Sequence, residues 1–86
     1  MSYQVFIPKS VQKEFDKLPK SDYEKVYIKI QALTEEPRPS GVVKMEGFDN
    51  EYRIRIGDYR VRYQVNDKDL ILLVVYCKHR KDVYRN

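Results

Sequence analysis

The stretch that decides the fold is Glu51 to Asn66, EYRIRIGDYRVRYQVN, which reads as two strands around Gly57-Asp58. In both halves apolar residues alternate with arginine or glutamine, and the apolar set is Tyr52, Ile54, Ile56, Tyr59, Val61, Tyr63 and Val65. Period-two alternation places the apolar side chains on one face of a sheet and the arginines on the other. A Gly-X pair between two such runs predicts a tight hairpin, of type II′ if the loop has only two residues.

The arginines of this hairpin carry the first functional indication. With a two-residue loop Arg55 faces Arg60 and Arg53 faces Arg62. Like charges directly opposite each other destabilise a sheet, and a bound polyanion would offset that loss. A merely solvated face is the alternative, because arginine stems also cover apolar surface. Positions 52–57 and 59–66 contain no Asp or Glu, which favours a binding face.

The length of the chain indicates one domain, residues 1–86, and its formal net charge of +4 favours polyanionic partners. The single cysteine, Cys77, excludes an internal disulfide framework and suits the reducing cytoplasm, which is the expected location. The N-terminus lacks the apolar region of a signal peptide. The longest apolar run, Leu70 to Cys77, has eight residues, too few to span a bilayer as a helix, so no membrane partner is expected.

The helices and strands around the hairpin are predicted from the spacing of apolar residues and from the residues that begin or end such elements. Tyr3 to Ile7 predicts a short strand, and Ser10 to Leu18 predicts a helix with one apolar stripe. An S-x-x-E capping box, Ser21 to Glu24, opens a second helix that ends before Pro37. Positions 35–47 form an irregular connection because Pro37, Pro39 and Gly41 interrupt both patterns.

After the hairpin, Leu70 to Cys77 is continuously apolar, which predicts a strand in the middle of the sheet that is covered on both faces. The fold class is therefore α+β: an N-terminal strand, an αα-hairpin and a three-stranded antiparallel meander, with the helices on one face. The other face would bring together the arginines and the polar tail that begins at His79.

The residues narrow the possible chemistry. One His and one Cys cannot assemble a metal site, and no phosphate-binding glycine loop occurs, so no metal or cofactor is expected. RNA can be cleaved by attack of its own 2′-hydroxyl on the adjacent phosphate. This reaction needs a base for the hydroxyl proton, an acid for the departing 5′-oxygen, and cations for the charge that builds on the phosphate. His79 and Tyr84 are the candidate proton-handling groups. Fork-shaped phosphate donors would come from Arg53, Arg55, Arg60 and Arg80, and further RNA contacts from Arg38, Lys44, Arg62 and Lys81.

Three segments together resemble a known family: KMEG at 44–47, YRIRIGDYRVRYQV at 52–65 and HRKDVYR at 79–85. They are similar to the RelE/ParE superfamily of bacterial type II toxin–antitoxin systems, on the RelE side, and the element order matches over essentially the whole chain. The resemblance implies a metal-independent, ribosome-dependent endoribonuclease that cuts mRNA in the decoding site and inhibits translation. It also implies an acidic, RelB-like antitoxin as partner, with operator DNA bound only through that antitoxin.

Carried over by position, the resemblance assigns roles to individual residues. Arg60 and Arg80 match phosphate-binding arginines, and Tyr84 matches the tyrosine that stacks on the substrate base and assists catalysis. Arg53 and Arg55 stand where RelE-type enzymes commonly carry lysines. A guanidinium is a poor general base. Either His79 takes the proton or the arginines act only electrostatically.

Two other functions remain open from the sequence. A ParE-like toxin would inhibit DNA gyrase by protein binding without hydrolysis, although such chains lack the arginine and tyrosine set. A basic binding module without catalytic activity is the third possibility.

Overall fold

A computed structural model describes residues 2–83. Within that range it forms one five-stranded sheet with two longer helices packed against one face and a third short helix. The elements in chain order are β1 Gln4–Phe6, α1 Lys9–Asp16, α2 Lys20–Leu33, β2 Val43–Lys44, β3 Glu51–Ile56, β4 Tyr59–Asn66, β5 Ile71–His79 and α3 Arg80–Val83.

The sheet has the strand order β1-β5-β4-β3-β2, with β1 parallel to β5 and all other pairs antiparallel. The α+β class, the element order and the meander of β3, β4 and β5 are confirmed. The short helix α3 was not predicted, and two details of the sheet differ from the sequence prediction. The connection after α2 contributes a two-residue strand, β2, and the middle strand is β4, whereas β5 lies second from one edge.

The central hairpin has the predicted register. Gly57 adopts φ +61° in the two-residue loop, whereas Asp58 does not take a positive φ, as a type II′ turn requires. Arg55 pairs with Arg60, and Arg53 pairs with Arg62. The opposed arginines are therefore a property of the folded sheet.

A β-bulge divides β5 into two halves of opposite phase. Tyr63 pairs with Val74 while Arg62 pairs with Tyr76, so Val75 is the extra residue on β5. Before the bulge Leu72 and Val74 point towards the helices; after it, Cys77 does so instead. One inserted residue shifts every later side chain of β5 to the opposite face.

The core lies between the helices and the apolar face of the sheet. Phe15 of α1 and Ile30 of α2 are buried there against Tyr63 of β4, whose hydroxyl donates a 2.7 Å hydrogen bond to the Pro37 carbonyl. The predicted capping box is wrong, because α2 begins at Lys20, directly after Pro19, and no side chain caps it. Proline already fixes the backbone φ that starts a helix.

Candidate functional site

Among the side chains of β3, β4 and β5 that point away from the helices, six form a surface we call the arginine face: Arg53, Arg55, Arg60, Arg62, Tyr76 and Lys78. At its hairpin end three cations lie side by side across three strands, because Arg60 pairs with both Arg55 and Lys78. We call these three residues the cation row. Directly opposed residues have Cβ atoms about 5 Å apart, so the three charges share one small surface.

Arg60, at the centre of the cation row, is only 9% exposed, and Arg55 and Lys78 on either side of it are exposed. The row therefore holds three positive charges close together, and the central one is largely covered. A phosphate group with its negative charge matches this arrangement, since its oxygens accept the fork of donors that arginine presents.

Lys78 was missed in the sequence because the apolar run 70–77 shows no alternation from which its face could be read. The bulge at Val75 puts Lys78 in line with Arg60. The Lys78 ammonium can donate a proton, whereas the guanidinium groups of Arg55 and Arg60 cannot.

The prediction that His79 lies on the same face as the arginines is wrong. His79 pairs with Tyr59 on the helix-covered side, and the two rings meet edge to face with centroids 5.2 Å apart. The Nδ1 atom of His79 accepts a hydrogen bond of 3.2 Å from the Lys81 backbone N–H. The physical reason is again the bulge, which exchanges the faces of Lys78 and His79.

Arg80 lies at the hairpin end of the sheet, next to the Gly57-Asp58 turn. Its backbone N–H donates to the Asp58 carbonyl at 2.8 Å, and its Nε is 3.8 Å from the Asp58 carboxylate. The Arg80 side chain is 55% exposed, and Lys81 is exposed beside it. The predicted residue Tyr84 lies outside the described residues.

Arg62 has a carboxylate partner on the arginine face that the sequence prediction overlooked. Its Nε forms an ion pair with Glu51, a buried residue whose other oxygen accepts a 3.0 Å hydrogen bond from Gln64. The guanidinium also lies over the Phe48 ring at 5.0 Å. Glu51 could have been found, since it precedes Arg53 by two residues and so shares its face. Arg62 is thus neutralised, which separates it from the cation row.

Two other predicted RNA contacts lie away from the arginine face. Lys44 pairs with Tyr52, whose side chain packs on the core side. Arg38 binds the Asp67 carboxylate through both terminal nitrogens, at 3.2 and 2.7 Å, and donates from Nε to the Tyr52 hydroxyl at 2.9 Å.

The Tyr3 hydroxyl donates to the same carboxylate at 2.5 Å. We call this group, Tyr3, Arg38, Tyr52 and Asp67, the clamp. It ties the connection after α2 to the β4–β5 turn and to the residue before β1. The hydrogen bond from Arg38 is the main reason why the pKa of Asp67 is lowered, and that from Tyr3 contributes next.

Cys77 lines a cavity of about 440 Å³ on the helix side together with Glu14, Tyr59 and His79. The Glu14 carboxylate accepts a 3.1 Å hydrogen bond from the Cys77 backbone N–H. It thereby provides a partner for a backbone group of β5 that lies beyond the three residues paired with β1. Burial raises the pKa of the Cys77 thiol to about 12, with the Glu14 charge as a second cause. A thiol held protonated in this way does not serve as a nucleophile at neutral pH.

Comparison with known proteins supports one family. Residues 5–84 match the family model described as the ParE toxin of type II toxin–antitoxin system, parDE. The chain is 34% identical over 89 residues to a protein named as a toxin, RelE1, of Methanocaldococcus jannaschii, covering 100% of this chain and 99% of that one.

Solved structures agree with this result. The archaeal RelE–RelB complex of Pyrococcus horikoshii OT3 superposes with a TM-score of 0.83 at 40% identity, covering 93% of this chain and 97% of that chain. The intact Escherichia coli RelBE toxin–antitoxin complex gives a TM-score of 0.80 at 26% identity over 91% of this chain and 96% of that chain. The chain therefore belongs to the RelE/ParE superfamily of toxins of type II toxin–antitoxin systems.

Proposed function

We propose that this toxin is a RelE-type endoribonuclease that cleaves mRNA in the decoding site of the ribosome without a metal ion, and so inhibits translation in the cytoplasm. The observation that carries the proposal is the cation row, in which Arg60 lies covered between Arg55 and Lys78. Three adjacent cations on one sheet face provide the positive charge that a phosphodiester under attack requires.

In the proposed reaction the 2′-hydroxyl of one nucleotide attacks the adjacent phosphorus, and the 5′-oxygen of the next nucleotide leaves. The products are a 2′,3′-cyclic phosphate and a free 5′-hydroxyl. Negative charge grows on the non-bridging oxygens in the transition state, where preorganised donors have their largest effect. Arg60 would hold these oxygens, with Arg55 and Arg53 beside it and Arg80 at the turn.

Lys78 is the residue that we propose as proton donor to the leaving 5′-oxygen. It stands next to Arg60, and its ammonium can release a proton. His79 is the weaker candidate because its ring packs against Tyr59 on the opposite side of the sheet. The proton of the 2′-hydroxyl would then go to a group supplied by the ribosome or to Tyr84, consistent with ribosome dependence.

The proposed partner that silences the toxin is an acidic, RelB-like antitoxin. Two of the similar structures are complexes of RelE with RelB. A segment rich in carboxylates would complement the arginine face and could fold as it binds. Contact with operator DNA would then occur only through the antitoxin.

A second candidate function is inhibition of DNA gyrase by protein binding, which the match to the ParE family model favours. The cation row favours the nuclease, because three adjacent cations match the charge that develops on a phosphodiester under attack. Both functions are toxic to a cell, so growth arrest alone does not separate them.

The deciding experiment incubates the purified toxin with ribosomes programmed with a short mRNA, and in parallel with gyrase and a supercoiling substrate. We expect a defined cut in the A-site codon with a cyclic phosphate end and no effect on supercoiling. An intact mRNA together with inhibited gyrase would establish the ParE-like function instead.

The role of Lys78 is tested in the same assay with Lys78→Arg, which keeps the charge but removes the transferable proton. We expect at least about a hundredfold loss of cleavage rate. An mRNA whose leaving 5′-oxygen is replaced by sulfur needs no proton donor, so this variant should cut it at the wild-type rate. Lys44→Arg, on the other side of the sheet, is the matched control. Equal loss on both substrates would assign Lys78 to electrostatic binding alone.

A further inference from the structure

A ladder of alternating rings and cations crosses the arginine face next to the cation row. The Arg62 guanidinium lies between two rings, 5.0 Å from the centroid of Phe48 and 5.9 Å from that of Tyr76. The Lys78 ammonium lies over the Tyr76 ring at 5.0 Å. The ladder therefore leads from the loop before β3, through Phe48, to Lys78 of the cation row.

The outer end of this ladder is an exposed aromatic ring on a rigid support. Phe48 is 46% exposed although its ring packs on Arg62. Arg62 cannot readily turn away, because the buried Glu51 carboxylate holds its Nε and Gln64 holds Glu51 in turn. A fixed ring with a free face loses little conformational entropy when a flat group stacks on it.

We propose that Phe48 is a stacking platform for one base of the mRNA, a nucleotide adjacent to the phosphate held by the cation row. This inference rests on the proposed nuclease function. Arg62, which supports the ring, is two residues from Arg60 along β4, and two residues of a strand span about 7 Å. That separation is suited to neighbouring groups of one extended RNA strand.

The surroundings favour a nucleic-acid base over an apolar side chain of a protein. Aromatic rings beside a cationic groove are how proteins hold single-stranded RNA without reading its sequence. Phe6, the comparable ring on the other edge of the same face, is 47% exposed but pairs with Leu73, an apolar neighbour. The carboxylates of Glu46 and Asp49 flank Phe48 in its loop, and they would keep the RNA phosphates on the strand side of the ring.

The test combines Phe48→Leu with mRNAs in which one nucleotide of the A-site codon, or one flanking it, is abasic. Wild-type toxin should lose about tenfold in kcat/KM on the mRNA lacking the contacted base. Phe48→Leu should lose about tenfold on the intact mRNA and nothing further on the abasic one, whereas Phe48→Tyr keeps the ring and should behave as wild type. Phe6→Leu is the matched control and should leave both rates unchanged.

The outcomes separate this inference from the function on which it rests. A wild-type toxin that does not cut any mRNA on ribosomes overturns the nuclease and the stacking role together. Normal wild-type cleavage with full activity of Phe48→Leu overturns only the stacking role. The stacking role is also overturned if Phe48→Leu loses activity on the intact mRNA and then loses about a further tenfold on the abasic mRNA that slows the wild type. Independent losses of this kind would indicate a merely structural effect of the substitution. The stacking role is equally overturned if Phe48→Leu weakens antitoxin binding but leaves cleavage unchanged.

Discussion

The two ends of the sheet use arginine in opposite ways. In the clamp, Arg38 has a carboxylate, a hydroxyl and an aromatic ring around it, and both of its terminal nitrogens bind Asp67. In the cation row, Arg60 stands directly opposite Arg55 on one strand and Lys78 on the other. The first arrangement joins the arginine to a carboxylate of the β4–β5 turn, and the second places three cations next to one another on the arginine face.

The difference teaches that the position of an arginine relative to other cations, more than the number of basic residues, distinguishes a structural arginine from a candidate binding arginine. Arg62 illustrates the boundary. It belongs to the arginine face by strand register, yet the buried Glu51 converts it into a support. A net positive charge by itself does not predict this division.

The largest expected effects come from replacing Arg60 and Arg38 one at a time, since one should change activity and the other stability. Arg60→Ala should reduce mRNA cleavage on ribosomes by at least about a hundredfold, because it removes the donors that we propose to hold the reacting phosphate. Arg38→Ala should keep activity within about twofold and lower the thermal unfolding midpoint instead. Cleavage rates and circular dichroism melts measure both. A folded Arg60→Ala with full activity would contradict the division of roles.

Breaking the buried pair that separates Arg62 from the cation row should mainly affect stability. Glu51→Gln leaves a guanidinium that is 22% exposed without its carboxylate, so we expect a loss of about 2–4 kcal/mol in the free energy of unfolding. The double variant Glu51→Gln/Arg62→Met should recover part of that loss, because no uncompensated charge remains. Urea unfolding measures all three proteins. A double variant less stable than Glu51→Gln would show that Arg62 stabilises the sheet independently of Glu51.

The smallest effect concerns the acid sensitivity of the clamp. The pKa of Asp67 is lowered in the folded protein, chiefly by its hydrogen bonds from Arg38. Its contribution to stability is therefore fully present above the unfolded pKa, about 3.9. The contribution is lost as the pH falls through the lower folded value.

Asp67→Asn should flatten this part of the stability profile, as measured by urea midpoints between neutral pH and about pH 3. Asp69→Asn, in the same turn but bonded to Asn66, is the control. An unchanged profile in Asp67→Asn would exclude the clamp as the acid-sensitive element.

Strict alternation made the hairpin predictable in detail, and its arginine pairs follow from the loop length alone. The faces of Lys78 and His79 were not predictable in the same way. A continuous apolar run carries no period, so the bulge at Val75 leaves no signal in the sequence. The clamp was also out of reach, since Arg38 and Asp67 are 29 residues apart and meet only in the folded chain. Glu51 was accessible from the same alternation that revealed the arginines.

The short edges of the sheet have a consequence for the protein at high concentration. In the described part of the chain, β1 pairs with only three residues of β5 and β2 with only two residues of β3, so the rest of β3 and of β5 is paired with β4 alone. Unpaired backbone groups on long edge strands recruit other chains into intermolecular sheets. The open lengths of β3 and β5 carry Arg55 and Lys78, whose positive charges oppose pairing with a second copy and so protect the apolar meander from templated self-association.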